Sequence, residues 1–318
     1  MTVYSNILEL IGNTPIVDVS ELSPNPRVRV LAKLEGQNPG GSVKDRVALS
    51  LIEQAEKDGR LVPGKEGQTL IEPSSGNTGI GLAMVCRMKG YHIKIVLPSN
   101  VSIERKQLLA VWGAEIIESP GSEGSNGAVR MAQRLAGEHP EWVFLYQYAN
   151  PANPLAHYEG TGPEIWRDVP EVTHFIAGLG TSGTLMGVGK FLKERNPDVQ
   201  LWAIEPPSGE MVDGLRNLDD GYIPPIFTDN DGAELLDRKT IVGPKESIEG
   251  VRLLAEVGVF AGISSGAILQ GARKCASQID EGTIVMIICD GGWKYLSTGA
   301  WTDDINDVTE RAKKIIYF

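Results

Sequence analysis

The segment Ser42-Val43-Lys44-Asp45-Arg46 places a lysine at the start of a predicted helix. Ser42 is a favoured N-cap residue, and Asp45 can complete a capping box, so the apolar residues from Val47 onward predict a helix that begins here. Lys44 then lies in the first turn, where exposed backbone N–H groups disfavour a positive charge and should lower the pKa of its ammonium group. A lysine that is easily kept neutral can attack a carbonyl and form a Schiff base. The alternative is an ordinary surface lysine at a helix start, and this segment alone does not decide between the two.

A glycine-containing loop follows the predicted strand Thr69–Glu72. Its sequence is Ser74-Ser75-Gly76-Asn77-Thr78-Gly79, and the apolar run from Ile80 predicts a helix directly after it. The first N–H groups of such a helix, together with Ser and Thr hydroxyls, can hold a carboxylate or a phosphate. A plain strand-to-helix turn is the alternative.

A second loop, richer in glycine, joins the predicted strand Phe175–Leu179 to the predicted helix Leu185–Phe191. The loop residues Gly180-Thr181-Ser182-Gly183-Thr184 combine hydroxyl groups with glycines at a helix N-terminus. Hydroxyls and backbone N–H groups together can satisfy the oxygens of a terminal phosphate. The segment therefore predicts a phosphate site.

The same segment also fits a dinucleotide-binding site. Gly178, Gly180 and Gly183 have the GxGxxG spacing, and Glu205 ends the next predicted strand, where an acid that binds ribose would stand. A nicotinamide-dependent dehydrogenase is thus an open alternative. It gives no role, however, to Lys44 or to Ser74–Gly79.

A phosphorylated aldehyde cofactor, pyridoxal phosphate, uses all three features. Lys44 would form the imine, Gly180–Thr184 would hold the phosphate, and Ser74–Thr78 would hold the carboxylate of an amino-acid substrate. The combination is far more specific than any of its parts.

Composition excludes several other classes of function. The 318 residues carry a net charge of -11, which argues against nucleic acid or an anionic membrane as a partner. No metal site is expected, because the four histidines lack metal-ligand spacing. The three cysteines form no CxxC pair, and the N-terminus lacks a signal sequence, so a reducing, cytoplasmic location is expected.

The elements that must position these loops alternate along the chain. Strand-like runs such as Tyr91–Leu97 precede helix-like runs such as Ser102–Trp112, a pattern typical of parallel sheets covered by helices. Two Asn-Pro steps at residues 150–154 indicate a boundary. We predict an α/β fold of two domains, each an open twisted sheet covered by helices, with a cleft between them. Residues 42–150 form the smaller, mobile domain, and residues 1–41 and 151–318 form the larger one.

The sequence resembles the cysteine synthases, which are β-family, fold type II pyridoxal phosphate enzymes similar to the β subunit of tryptophan synthase. The resemblance covers nearly the whole chain. Besides residues 42–46, it rests on four segments: Ile11-Gly12-Asn13-Thr14-Pro15, Lys33-Leu34-Glu35, Gly262-Ile263-Ser264-Ser265-Gly266 and Tyr295-Leu296-Ser297-Thr298.

The resemblance implies a role for each matching residue. Lys44 would be the Schiff-base lysine, Asn77 the partner of the cofactor ring hydroxyl, and Ser264 the partner of the pyridine nitrogen. The residues that would close on the substrate carboxylate are Ser74, Ser75, Thr78 and Gln147. The residues of the phosphate cup would be Gly180, Thr181, Ser182, Gly183 and Thr184. Ser74 is a departure, since the family usually has Thr there; the hydroxyl is kept and a methyl group is lost.

Several stretches are more similar to the enzymes that use O-phosphoserine and a thiocarboxylated sulfur-carrier protein than to O-acetylserine sulfhydrylases. Arg216 is the discriminating residue, because its guanidinium can bind a substrate phosphate through two charge-assisted hydrogen bonds. A surface arginine paired with Asp219 or Asp220 is the alternative.

The expected function is therefore the synthesis of L-cysteine by β-replacement on O-phosphoserine, with a small sulfur-carrier protein or sulfide as donor. O-acetylserine sulfhydrylase or cystathionine β-synthase-like activity is the alternative within the family, and a non-catalytic regulatory partner is one outside it. The resemblance further implies a homodimer. The apolar spacing in Asp303–Phe318 predicts a C-terminal helix whose last residues, Ile315–Phe318, either pack on their own domain or cover the active site.

Overall fold

The computed structural model describes residues 3–312, in which strands and helices alternate along the chain. The strands are β1 (Ile16–Asp18), β2 (Val28–Leu34), β3 (Thr69–Pro73), β4 (His92–Pro98), β5 (Glu115–Ser119), β6 (Val143–Phe144), β7 (His174–Gly178), β8 (Gln200–Glu205), β9 (Arg238–Ile241) and β10 (Gly282–Ile288). The α-helices are α1 (Lys44–Lys57), α2 (Asn77–Lys89), α3 (Ile103–Val111), α4 (Gly124–Glu138), α5 (Ala152–Ala156), α6 (Gly162–Asp168), α7 (Gly183–Arg195), α8 (Pro225–Asp229), α9 (Gly232–Leu235), α10 (Pro244–Glu256), α11 (Ile263–Ala276) and α12 (Ile305–Ala312). A π-helical turn, His157–Thr161, lies between α5 and α6.

Two compact units divide the described residues. The smaller comprises residues 3–11 and 38–153, and the larger comprises residues 12–37 and 154–312. Relative to the predicted division at residues 42–150, the smaller unit starts four residues earlier, ends three residues later and gains an N-terminal segment. That segment belongs to it because Leu8 and Ile11 pack on the apolar core of the smaller unit.

The smaller unit is built on a four-stranded parallel sheet in the order β5-β4-β3-β6. Leu70 and Ile95 contribute to an apolar cluster with residues of α1 and α2. Ile71 and Val96 instead pack with Ala128 of α4. Because successive side chains of a strand point to opposite faces, helices cover this sheet on both sides.

The larger unit is built on a six-stranded sheet in the order β1-β2-β10-β7-β8-β9, in which β1 alone runs antiparallel to its neighbour. Phe175 and Val285 pack with residues of α6 and α7. Ile176 and Met286 pack with residues of α10 and α11. The predicted α/β class, with parallel sheets covered by helices, is confirmed.

Most predicted elements differ from the observed ones by a residue at each end. The strand predicted at Tyr91–Leu97 is β4, and the helix predicted at Ser102–Trp112 is α3. Gly90 ends α2 with a φ of 80°, a left-handed conformation that glycine adopts without a steric penalty.

The predicted C-terminal helix is present in part as α12. Ile305 and Val308 pack with Ile248 and Val251 of α10. The predicted role of Ile315–Phe318 concerns residues outside the described range. None of the helices within residues 3–312 combines the length and the apolar character that crossing a bilayer requires.

Candidate functional site

Lys44 is the first residue of α1 and is half-buried. The predicted capping box is wrong, since Val43 holds the N-cap position without a side-chain cap hydrogen bond. Ser42 Oγ instead accepts the N–H of Lys44 at 3.1 Å. The Asp45 carboxylate accepts the N–H of Gly40 at 2.5 Å, which ties it to the preceding turn. The lysine nevertheless lies at a helix start, as predicted from the sequence.

The loop Ser74–Gly79 connects β3 to α2 and is organised by its first residue. Ser74 is buried, and its Oγ accepts the N–H of Gly79 at 2.9 Å. A Cβ at Gly79 would lie 3.3 Å from Ile95 Cγ2 and from Ser74 Cβ, so these side chains would have to shift by a few tenths of an ångström to admit one. The loop backbone is thus held against the sheet.

The starts of α1 and α2 lie side by side because Gly81 permits a close approach. A Cβ at Gly81 would lie 3.2 Å from the Lys44 carbonyl oxygen and from Ala48 Cβ. Asn77, the first residue of α2, lies one turn before Gly81. The smaller unit therefore groups Lys44, Asn77 and the Ser74–Thr78 loop at neighbouring helix starts.

Gln147, from a distant part of the chain, forms hydrogen bonds with this group. Its Oε1 accepts the Thr78 hydroxyl at 2.6 Å, and its Nε2 donates to the Pro73 carbonyl at 3.3 Å. Both Thr78 and Gln147 are buried. Ser75, half-buried beside them, has its Oγ 3.5 Å from Ser125 Oγ. The four residues predicted to bind a substrate carboxylate thus occur together in one unit.

Glu72 was missed by the sequence analysis. It is fully buried at the end of β3 and accepts the N–H groups of Tyr146 at 2.8 Å and of Gln147 at 2.9 Å. Burial raises the pKa of Glu72 to about 8, although the two N–H donors favour the charged form. The available signal was a carboxylate within an otherwise apolar strand, directly before the loop.

In the larger unit, the Gly180–Thr184 loop connects β7 to the N-terminus of α7. Ser182 holds the N-cap position with a φ of 71°, and Thr181 Oγ1 accepts the N–H of Gly183 at 3.4 Å. A Cβ at Gly180 would lie 2.8 Å from the Gly214 carbonyl oxygen, so only glycine fits this close approach.

The Ser182 hydroxyl indicates which kind of ligand this loop can bind. It is buried, and Ser182 Oγ has no hydrogen-bond partner among the described residues. An unpartnered buried hydroxyl at the positive end of a 13-residue helix suits an anion that supplies the missing oxygen. The hydroxyls and N–H groups of residues 180–184 therefore fit a terminal phosphate.

His157 supports the same loop. Its Nε2 lies 3.2 Å from Thr184 Oγ1, and its Nδ1 lies 2.9 Å from Thr161 Oγ1. The π-helical turn that carries His157 packs against α7 at Gly187, where a Cβ would lie 2.7 Å from His157 Cβ and 2.9 Å from the Tyr158 backbone nitrogen. No spacing in the sequence indicates this contact, because residues 157 and 184 belong to different elements.

Ser264 and Arg216 lie on segments that adjoin the phosphate loop within the larger unit. Ser264, the second residue of α11, is buried beside Gly214, where a Cβ would lie 3.6 Å from Ser264 Oγ. The Arg216 N–H donates to the Leu179 carbonyl at 2.7 Å, and its half-buried guanidinium lies 4.8 Å from the Tyr222 ring centroid.

Glu205, at the end of β8, is buried and has partners within the larger unit. Its carboxylate lies 3.1 Å from Lys239 Nζ and accepts the N–H of Leu218 at 3.2 Å. These contacts fix the segment that follows Arg216. These partners of Glu205 argue against a dinucleotide-binding site and leave the phosphate-loop interpretation.

The remaining candidates for site chemistry are clusters of metal-ligand side chains and the buried cysteine thiols. Among the described residues, no three His, Cys, Asp or Glu side chains group in a way that could hold a metal ion. The thiols of Cys86 and Cys275 are buried, and burial raises the pKa of each, to about 12 for Cys275. Such thiols are protonated and unreactive at neutral pH.

Comparison with known proteins identifies relatives over nearly the whole chain. The family model described as pyridoxal-phosphate dependent enzyme matches residues 7–290. Cysteine synthase B of Escherichia coli is 41% identical over 302 residues, which cover 94% of this chain and 97% of that protein. A crystal structure of O-acetyl serine sulfhydrylase isoform 3 from Entamoeba histolytica superposes with a TM-score of 0.85 at 35% identity, covering 98% of this chain and 96% of that one. An O-acetylserine dependent cystathionine beta-synthase from Helicobacter pylori gives a TM-score of 0.87 at 34% identity, with 95% and 100% covered.

Proposed function

The chain belongs to the family of pyridoxal-phosphate dependent enzymes, and from that premise we propose that it makes L-cysteine by β-replacement on O-phosphoserine. The sequence resemblance to the cysteine synthases is confirmed, and so is the cofactor, pyridoxal 5′-phosphate. The activity is of the cysteine synthase type. The identity of the activated serine and of the sulfur donor is our proposal.

The observation that carries the proposal is the arrangement of the smaller unit. Lys44 and the Ser74–Thr78 loop lie at neighbouring helix starts, which provides an amine and a set of hydroxyl and N–H donors close together. An amino-acid substrate needs both, because its carboxylate must be held while a base removes the α-proton.

The cofactor, when bound, supplies an aldehyde for the Lys44 amine and a ring that withdraws electrons from the substrate Cα. Gly180–Thr184 would hold its phosphate, Asn77 its ring hydroxyl and Ser264 its ring nitrogen. A neutral serine holds a proton on that nitrogen less firmly than a carboxylate does. The site therefore favours loss of a β-leaving group over a long-lived carbanion.

The protein side chains perform the remaining steps. Ser74, Ser75, Thr78 and Gln147 would bind the substrate carboxylate and orient its Cα–H bond. The Lys44 amine would take the α-proton as general base. Departure of the leaving group then opens Cβ to the sulfur nucleophile.

The choice of O-phosphoserine is supported by the position of Arg216. The hydrogen bond to Leu179 and the Glu205 contact with Leu218 hold the Arg216 segment next to the phosphate loop and Ser264. A guanidinium at this place can meet the phosphate of the substrate.

O-acetylserine is the second candidate, and the comparisons favour it at least as strongly. Two of the solved relatives are described as acting on O-acetylserine, at 34% and 35% identity. An acetyl ester gives Arg216 no dianion to bind, so the two candidates differ in the role of one side chain.

We further propose a homodimer in a reducing, cytoplasmic compartment, with sulfide or a thiocarboxylated sulfur-carrier protein as donor. The buried thiols of Cys86 and Cys275 suit a reducing compartment. The proposal for the donor rests on the sequence resemblance alone.

The test is a comparison of kcat/KM for O-phosphoserine and O-acetylserine, each with sulfide and with a thiocarboxylated carrier. We expect cysteine from both substrates and a higher kcat/KM for O-phosphoserine. A higher value for O-acetylserine would establish the second candidate. Turnover of neither substrate by cofactor-loaded enzyme would refute the proposed function.

A further inference from the structure

We propose that Glu72 is a positioning residue that fixes Gln147 and, through it, the loop that binds the substrate carboxylate. The inference concerns a residue outside the set assigned above and rests on the proposed function for the identity of the ligand. Glu72 carries a buried carboxyl group near the end of β3, and its two oxygens both face the backbone of one distant turn.

The geometry is that of a two-point clamp. One oxygen of Glu72 accepts the N–H of Tyr146 at 2.8 Å, and the other accepts the N–H of Gln147 at 2.9 Å. Two hydrogen bonds to consecutive amides fix the orientation of the turn as well as its distance from β3. A side chain with a single acceptor oxygen cannot offer each donor an oxygen of its own.

The clamped turn has a strained backbone. Tyr146 has a φ of 53°, a left-handed conformation that costs a non-glycine residue free energy. Such a conformation persists only where surrounding contacts impose it. The Glu72 bond to the Tyr146 N–H is one of these contacts, and a bond from Asn153 Nδ2 to the Gln147 carbonyl at 2.9 Å is another.

Gln147 connects the turn held by Glu72 to the Ser74–Gly79 loop. Its side chain contacts Pro73, which directly precedes the loop, and Thr78 near the loop's end, at 3.3 and 2.6 Å. Since Glu72 also adjoins Pro73 in the chain, a closed ring of contacts runs from β3 through the turn and back to the loop. Loosening the Glu72 clamp should therefore loosen the loop.

Burial supports a specific rather than incidental role. Glu72 has no exposed surface, and removal from water opposes its charge, so keeping a carboxyl group here destabilises the fold unless its oxygens are used. An aliphatic residue would continue the apolar strand without that disadvantage.

The test is Glu72→Gln in the cofactor-loaded enzyme. An amide keeps the volume and one acceptor, but it presents an NH₂ group to one of the two N–H donors. We expect the KM values for O-phosphoserine and O-acetylserine to rise equally, by about tenfold, with kcat lowered less than about threefold. Equal effects are expected because the two substrates share the same carboxylate. Hydrogen exchange at the Tyr146 and Gln147 amides should accelerate at least about tenfold.

Glu56→Gln is the matched control. It is the same substitution in the same unit, at a carboxylate that accepts bonds from Lys89 Nζ at 2.8 Å and from the Tyr91 hydroxyl at 2.7 Å, away from the loop. It should leave KM and the exchange of both amides unchanged. If Glu72→Gln fails to fold, Glu72→Asp, which shortens the side chain by one methylene, is measured in its place.

Unchanged KM in the Glu72 variant, or a raised KM without faster exchange at the two amides, would overturn the inference. A failure of the proposed function is distinguishable, because wild-type enzyme would then turn over neither activated serine. In that case the exchange measurement alone decides whether Glu72 holds the turn, and unaltered exchange would refute it.

Discussion

Ser74 Oγ accepts the backbone N–H of Gly79 at 2.9 Å, so the first residue of the candidate carboxylate loop is tied to the first turn of α2. Ser74→Ala removes the oxygen that accepts this bond and leaves a buried N–H without that acceptor. We expect the free energy of unfolding to fall by about 1–3 kcal/mol, measured by urea denaturation. Ser74→Thr keeps the hydroxyl and should lose less than about 1 kcal/mol. Equal losses in the two variants would show that packing, and not the hydroxyl, matters.

Lys44→Ala is expected to abolish β-elimination, because it removes the group proposed to anchor the cofactor and to act as base. The measurement is the rate of release of phosphate or acetate from the activated serine. Lys57→Ala, at the exposed far end of the same helix, is the control and should retain wild-type rates. Near-normal release by the Lys44 variant would refute the assignment.

Ser182→Ala separates cofactor binding from folding. The Ser182 hydroxyl is buried without a protein partner within the described residues, so its removal should not lower the Tm of the cofactor-free protein. The affinity for pyridoxal phosphate should fall about tenfold, since a hydrogen bond to a charged group is lost. Equilibrium titration of the cofactor-free protein measures it. An unaltered dissociation constant would place the phosphate elsewhere.

Arg216→Ala is expected to lower kcat/KM for O-phosphoserine by tens to hundreds of fold and to change that for O-acetylserine little. Loss of a charge-assisted contact corresponds to about 2–3 kcal/mol. Arg238→Ala, an exposed arginine 4.6 Å from the Trp202 ring centroid in the same unit, is the control and should affect neither substrate. Equal losses on both substrates in the Arg216 variant would mean that Arg216 supports the fold.

Glu72 is expected to make stability depend on pH. Burial raises its pKa from the usual 4.5 to about 8 in the folded protein, so the folded state binds the proton more tightly than the unfolded state. The resulting stabilisation is fully present below about pH 4.5 and is lost as the pH rises through about 8. Relative to Glu72→Gln, the unfolding free energy of the wild type should fall with a slope of up to about 1.4 kcal/mol per pH unit. Urea denaturation of the two proteins between pH 5 and about pH 8 measures this, and parallel pH profiles would contradict it.

Local signals in the sequence determined much of the fold and part of the site. The apolar runs and glycine positions predict β4, α3 and β7 to within about a residue, because hydrophobic periodicity and left-handed glycines act over a few neighbours. For the same reason Lys44 at the start of α1 and the loop before α7 were visible without a structure.

Contacts between distant segments were decided only by the tertiary structure. Thr78 and Gln147 are 69 residues apart in the chain. Glu72 accepts hydrogen bonds from Tyr146 and Gln147, which follow it by 74 and 75 positions. No periodicity specifies such pairs, since they depend on which strands become neighbours in a sheet. The capping box at Ser42 failed for a local reason instead, because the Asp45 carboxylate accepts the N–H of Gly40 in the preceding turn. The sequence alone thus determined which residues lie at each helix start. The packing of the sheets decided which distant side chains hold those residues in place.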